Sequence, residues 1–172
     1  MKRIYLVLFF LSFAVAAVAA SVHLKPDHRL PLFTDLGLSL ESDGQLSGLG
    51  NGDVLVILSA TANVTATCTN YGENQAPGQN PAPVTVTGVT PIPESELKNG
   101  TTPYSVVTDE PVTPILGAPG CPNPNWTEDI ADLAFTGATL TIQQPPGITV
   151  LTVPCVFDPP TVDGRVTSIT CS

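Results

Sequence analysis

Apolar and polar residues alternate through most of this 172-residue chain, a period of two that belongs to strands rather than helices. The clearest run is "NGDVLVILSATANVTATCT". It opens on an Asn51-Gly52 turn, places Val54, Val56, Leu58 and Ala60 on one face, and resumes as Val64, Ala66 and Cys68 after an expected bulge. "PVTVTGV" turns Val84 and Val86 inward, with Val89 next in line. "LGLSLES" and "QLSGLG" flank Asp43-Gly44, which reads as a hairpin turn. "PYSVVTDE" is a shorter strand, and "WTEDIADLAFTGATLTIQQ" suits two short strands or one bent one. "GITVLTVPCVF" and "RVTSITC" follow, joined by "DPPTVDG". Only "EDIADLAF" offers helical spacing, and β-branched residues with Pro and Gly on both sides argue against it. Seven or eight short strands, punctuated by turns roughly every eight to twelve residues, predict an all-β fold: an antiparallel β-sandwich, immunoglobulin-like.

The N-terminal "MKRIYLVLFFLSFAVAAVAAS" breaks the alternation. Lys2 and Arg3 precede an apolar run and then small residues, the pattern of a secretory signal peptide cut after Ala19 or Ala20. No second apolar run of membrane-spanning length follows. The expected organisation is a signal peptide over 1–20, a flexible arm over 21–34 ("SVHLKPDHRLP" is polar and Pro-punctuated), and one domain over 35–172. The expected location is extracellular. Roughly 150 mature residues can bury a real core.

Charge then narrows the partners. The chain carries 6 basic and 15 acidic residues, a net −9; removing Lys2 and Arg3 leaves 4 against 15, or −11. The remaining cations, Lys25, Arg29, Lys98 and Arg165, are scattered. Nucleic acid needs a positive stripe and an anionic membrane would repel the protein, so neither is an expected partner.

Four cysteines, Cys68, Cys121, Cys155 and Cys171, occur in an exported chain without Cys-x-x-Cys spacing, which favours two disulfides over zinc. Three connectivities are open. Cys155 and Cys171 lie on the two arms of the last predicted hairpin, where facing residue numbers sum to about 326, and a cross-strand pair is near disulfide geometry. That leaves Cys68 for Cys121, a long loop whose closure stabilises by roughly 3–4 kcal/mol. Three sequons, at Asn63, Asn99 and Asn125, are candidate glycan acceptors in a eukaryotic secretory pathway.

The sharpest candidate site is "YGENQAPGQNP". Tyr71 with Asn74, Gln75, Gln79 and Asn80 supplies an aromatic face and planar amides, the chemistry of carbohydrate-binding loops. The simpler account is a rigid corner, since Asn, Gly and Pro are turn formers first. "GCPNPNW" has the same texture, and a Cys68–Cys121 bridge would bring the two loops together. Trp126, the only Trp, alternates with Ile130 and is expected inward as a core anchor; a sugar-stacking role is the minority reading.

Taken as a set, "GLGNGDV" (48–54), "NQAPGQNP" (74–81), "IPESELKNG" (92–100) and "CPNPNWT" (121–127) resemble an uncharacterised family of small secreted microbial β-proteins. The likeness runs from about Leu38 to Gln143. It implies one compact exported β-domain and carries over no catalytic residues.

Chemistry is otherwise sparse. A hydrolytic triad needs a positioned histidine, and His23 and His28 fall in the expected arm. Glu94 with Glu96, Asp109 with Glu110, and Glu128, Asp129 and Asp132 are local carboxylate groups in polar contexts, expected as solvated surface rather than a glycosidase pair. Asp43, Asn51 and Asp53 offer oxygen ligands but fit no calcium loop, so no cofactor or metal is expected. The expected function is a secreted, non-enzymatic binding module for a glycan, a cell wall or a host protein. The alternatives are a structural extracellular or cell-wall protein without a specific ligand and, more weakly, a polysaccharide-acting enzyme.

Overall fold

The computed structural model describes residues 22–25, 30–98 and 100–172. The signal segment over 1–20, His28 and the sequon residue Asn99 lie outside the described residues. Among the described residues, eleven strands and one 3₁₀ turn (Glu94–Glu96) form, with no α-helix. They are β1 (His23–Leu24), β2 (Leu32–Asp35), β3 (Leu40–Ser47), β4 (Val54–Thr69), β5 (Gln75–Pro77), β6 (Val84–Ile92), β7 (Thr102–Val107), β8 (Thr127–Gln143), β9 (Thr149–Phe157), β10 (Gly164–Arg165) and β11 (Ile169–Cys171). The count exceeds the expected seven or eight because β1, β5, β10 and β11 are pieces of two or three residues too short to show a period in sequence.

All pairing is antiparallel, in two sheets. In the first, β3 is central: β7 lies along one side, β2 and β1 lie end to end along the other, and β10 adds to β2. The second runs β11-β9-β8-β4, with β6 and β5 end to end on the far side of β4. One apolar core lies between them, in a sandwich-like arrangement. Phe33 of the first sheet meets Phe157 of the second edge to face, ring centroids 5.2 Å apart.

Two long strands carry most of this core. Every even residue of β4 from Val54 to Cys68 is buried, so its phase never slips. The bulge expected there sits in the partner strand. β8 has the extra residues Ala131 and Thr136, which switch its buried set from Glu128 and Ile130, through Leu133 and Phe135, to Ala138, Leu140 and Ile142. In β6 the even phase also holds, so Gly88 rather than Val89 faces inward and Val89 is exposed.

The arm expected over 21–34 is sheet over much of its described length. β1 pairs with β3, β2 pairs with β3 and β10, and Val22 and Phe33 are buried. The domain therefore begins before residue 35. Lys and Pro neighbours hide this in sequence, because the strands there are short and take their partners from far along the chain. Asp43-Gly44 likewise turns nothing. β3 runs straight through it, opposite Ser105 and Tyr104 of β7. Gly44 is required by close approach instead: a Cβ there would stand 2.9 Å from the Tyr104 ring.

Both expected disulfides are present. Cys155 and Cys171 face each other directly across β9 and β11, Cα atoms 4.1 Å apart. Their connection is no tight hairpin, since β10 crosses to the first sheet between them. Cys68 and Cys121 are joined over a separation of 53 residues, with Cα atoms 5.7 Å apart.

Candidate functional site

The candidate loop leaves the end of β4 as a tight, self-bonded turn. Asn70 Oδ1 accepts hydrogen bonds from the Gly72 amide (2.9 Å), the Asn74 amide (3.0 Å) and Asn74 Nδ2 (3.3 Å). The Asn70 amide donates to the Asn74 carbonyl (3.1 Å), and the Glu73 amide donates to the Asn70 carbonyl (2.9 Å). A short side chain that mimics a backbone acceptor makes this turn without help from the sheet. β5 then returns along β4, pairing Gln75 with Thr69 and Pro77 with Thr67.

This wiring sorts the five candidate residues. Tyr71 stands at the tip of the turn with 92 % of its surface exposed. Asn74 is turned inward to Asn70, and Gln75 belongs to an edge strand. The Gln79 amide donates to the Gly120 carbonyl (3.0 Å), tying the loop to the Cys121 segment, and Asn80 is exposed beyond it. The loop does not act as one surface.

What gathers around Tyr71 comes from the second loop. Asn123 Oδ1 accepts from the Asn125 amide (3.0 Å), and the Trp126 amide donates to the Asn123 carbonyl (3.2 Å). The compact turn swings Trp126 to a half-buried surface position. It is not the expected core anchor; Phe33, Phe135 and Phe157 fill that role. With the Cys68–Cys121 bridge beneath, the two turns enclose an open groove of about 450 Å³ lined by Asn70, Tyr71, Asn125, Trp126, Thr127 and Asp129, among others. Two aromatic side chains, two amides and one carboxylate share its walls.

Under the groove lies a polar feature the sequence does not reveal. Glu128, expected as solvated surface, is 1 % exposed. Its Oε2 accepts from the Gly120 amide (2.9 Å), while Oε1 is buried without a partner among the described residues. Gly120 must be glycine, because a Cβ would stand 2.4 Å from Glu128 Oε1 and 2.7 Å from the Gln79 carbonyl oxygen. The Ile115 amide donates to the Glu128 carbonyl (2.7 Å), closing the chain around the same carboxylate. Successive strand residues point to opposite faces, so Glu128 goes inward and Asp129 outward into the groove. The two cannot converge on one substrate.

The other candidates separate in space. Glu94 and Glu96 sit in the 3₁₀ turn, and Asp53 Oδ1 accepts the Glu94 amide (2.9 Å). Asp43 is mid-strand in β3, and Asn51 lies in the 50–52 loop, whose backbone Gln144 holds. Asn63 is exposed on the outer side of β4, and Asn125 is exposed at the groove. Of the groove residues, Trp126 is the minority sugar-stacking candidate of the sequence, Asn125 a sequon residue and Asp129 expected surface charge; the legible signal that joins Asn70 to Asn125 and Trp126 is the matching amide and Pro texture of the two disulfide-linked loops. No family model, curated protein or solved structure matches the chain.

Proposed function

We propose that this is an exported, non-enzymatic binding module that takes a neutral sugar unit in the Tyr71–Trp126 groove. The observation that carries the proposal is the pairing of two accessible aromatic side chains with the Asn125 amide and the Asp129 carboxylate around one open cleft, beside the self-bonded Asn70 turn. Sugar C–H faces stack on aromatic rings, and hydroxyl pairs match planar amides and carboxylates. The two disulfides are compatible with an extracellular location. The proposal treats the two sheets as layers of an immunoglobulin-like sandwich, the 1–20 segment as a removed signal, and exposed Asn63 as a glycan acceptor where the source permits, while Asn125, whose amide lines the groove, stays unmodified. It is also consistent with the resemblance to small secreted microbial β-proteins.

The test is glycan-array binding of the oxidised protein, followed by titration calorimetry on any neutral glycan retained. Tyr71→Ala, on an almost fully exposed side chain, should weaken binding about tenfold, the loss of roughly 1.4 kcal/mol of stacking. Trp126→Ala should do the same. Unchanged affinity in Tyr71→Ala overturns the site. Absence of any saturable glycan favours the second reading, a structural extracellular protein, which the self-bonded Asn70–Asn74 turn also supports.

A further inference from the structure

The two disulfides differ in what they fasten. Cys155 and Cys171 face each other inside a ladder, where β11 pairs with β9 and the Ser172 amide donates to the Pro154 carbonyl (3.1 Å). Opening that bridge leaves the strands bonded. Cys68 is likewise a buried strand residue, but Cys121 belongs to no strand. It is half-buried in a run of turns and bends over 116–126, most of it exposed. Besides the bridge, this run is held by the Ile115 amide on the Glu128 carbonyl (2.7 Å), the Gly120 amide on Glu128 Oε2 (2.9 Å) and the Gln79 amide on the Gly120 carbonyl (3.0 Å). Cys68 leads into Thr69, Asn70 and Tyr71 on one wall of the groove, and Cys121 leads to Asn125 and Trp126 on the other.

A second observation singles out the same bridge. Glu128 is the cross-strand partner of Cys68, and both side chains are buried. Residues directly opposite in an antiparallel pair bring their Cβ atoms to about 4.5–5.5 Å, so carboxyl and sulfur share one enclosure. Gly120 joins them: its carbonyl oxygen is 3.8 Å from Cys68 Sγ, and its amide bonds Glu128 Oε2. Glu128 Oε1 has no partner among the described residues. A disulfide sulfur has no hydrogen to offer that oxygen, whereas a thiol has one. Reduction therefore supplies a donor to a buried acceptor that the oxidised protein leaves unsatisfied, and this favours the open form.

We infer that Cys68–Cys121 is a redox-active bridge opened by an external dithiol, with Glu128 accepting the released Cys68 thiol, and that opening it dismantles the groove. A thiolate of the dithiol attacks half-buried Cys121 Sγ, the sulfur–sulfur bond breaks, and Cys68 leaves and takes a proton. The second thiol of the dithiol then displaces Cys121, which takes a proton in turn, and closes the reductant's own disulfide. Two electrons and two protons pass to the protein. The 116–126 run is then held by backbone bonds and Glu128 alone, and the wall carrying Asn125 and Trp126 loosens. That the groove binds a sugar rests on the function proposed above; the redox opening does not.

The test titrates the native protein with dithiothreitol, alkylates the thiols and maps them by mass spectrometry. Fluorescence of Trp126, the only tryptophan, and amide hydrogen exchange are followed alongside. Cys68–Cys121 should open at least about tenfold more readily than Cys155–Cys171, with the circular dichroism of the sheets retained. Trp126 emission should shift, and exchange at the Gln79 and Gly120 amides should accelerate. Glu128→Gln keeps an acceptor for the Gly120 amide but puts an NH2 group where Oε1 stood. It should cut the preference about tenfold and leave Cys155–Cys171 unchanged. Both bridges opening together, only as the fold melts, overturns the inference. So does an opened Cys68–Cys121 that keeps the Trp126 emission and Gly120 protection of the oxidised protein, or an unchanged preference in a folded Glu128→Gln. Where that variant does not fold, the wild-type comparison decides alone. Selective opening in a protein that retains no glycan supports the redox bridge and counts only against the sugar site, whereas a glycan held equally by oxidised and opened protein overturns the inference.

Discussion

Gly88→Ala is the most demanding test of how the two sheets close. Gly88 faces inward on β6, opposite Leu58 of β4, where the end of β7 passes over it. An added Cβ would stand 1.8 Å from the Val107 carbonyl oxygen, 2.5 Å from its carbon and 2.7 Å from Thr108 Cα. All three are backbone atoms, so no rotamer change relieves the clash. The chain must move by more than about 1 Å just where it bonds to both sheets: the Thr108 amide donates to the Leu40 carbonyl (3.0 Å) and the Asp109 amide to the Thr87 carbonyl (3.1 Å). Overpacking costs roughly 1–3 kcal/mol and a lost hydrogen bond about 1 kcal/mol more, against a gain below about 1 kcal/mol from replacing glycine in a strand. The net expectation is a destabilisation of about 3 kcal/mol. For a domain of this size that lowers Tm by roughly 6–12 °C in a thermal melt followed by circular dichroism. Gly50→Ala is the control, since its Cβ would meet only Gln144 Oε1, at 3.8 Å. A Gly88→Ala melt indistinguishable from the Gly50→Ala melt would refute the crossing described here.

Two further outcomes follow from buried polar groups. Burial pushes the Asp35 carboxyl above its ordinary value and nearby Asp163 and Asp132 push the same way, while hydrogen bonds from Thr161 and Gly37 pull it down. The folded state therefore holds this proton more tightly than the unfolded chain, and the associated stability is present at acid pH and lost as pH rises from about 4 through the raised value. The Tm of Asp35→Asn relative to wild type should move in the variant's favour between about pH 4 and pH 7, and a pH-independent difference would contradict this. Gln144 ties down the 50–52 loop: Nε2 donates to the Gly50 (2.8 Å) and Gly52 (3.0 Å) carbonyls, and Oε1 accepts from the Gly50 amide (2.8 Å). Gln144→Ala should cost about 1–2 kcal/mol and abolish hydrogen-exchange protection at the Gly50 amide, with unchanged protection as the contrary result.

Much of the fold was legible because it depends on local rules. Even residues of β4 stay buried over its whole length, and that parity is written directly in "VLVILSATANVTATC". Cys155 and Cys171 face each other as the summed residue numbers predict, although the connection between β9 and β11 runs through β10 in the other sheet rather than through a hairpin turn. The composition of the two Asn- and Pro-rich loops, with the bridge between them, pointed to the end of the molecule where the groove forms.

Other features depended on contacts between distant residues. Gly44 resembled a turn glycine until Tyr104, sixty positions away, lay across it. Glu128 read as surface charge because nothing nearby in sequence shows that Gly120 and Gln79 enclose it. Trp126 alternated correctly with Ile130, yet the Asn123 turn placed it at the rim of a groove. Strand identity follows from residue order, since period is a property of short segments. Which glycine admits a neighbour and which carboxylate loses water arise only when strands remote in sequence are brought side by side.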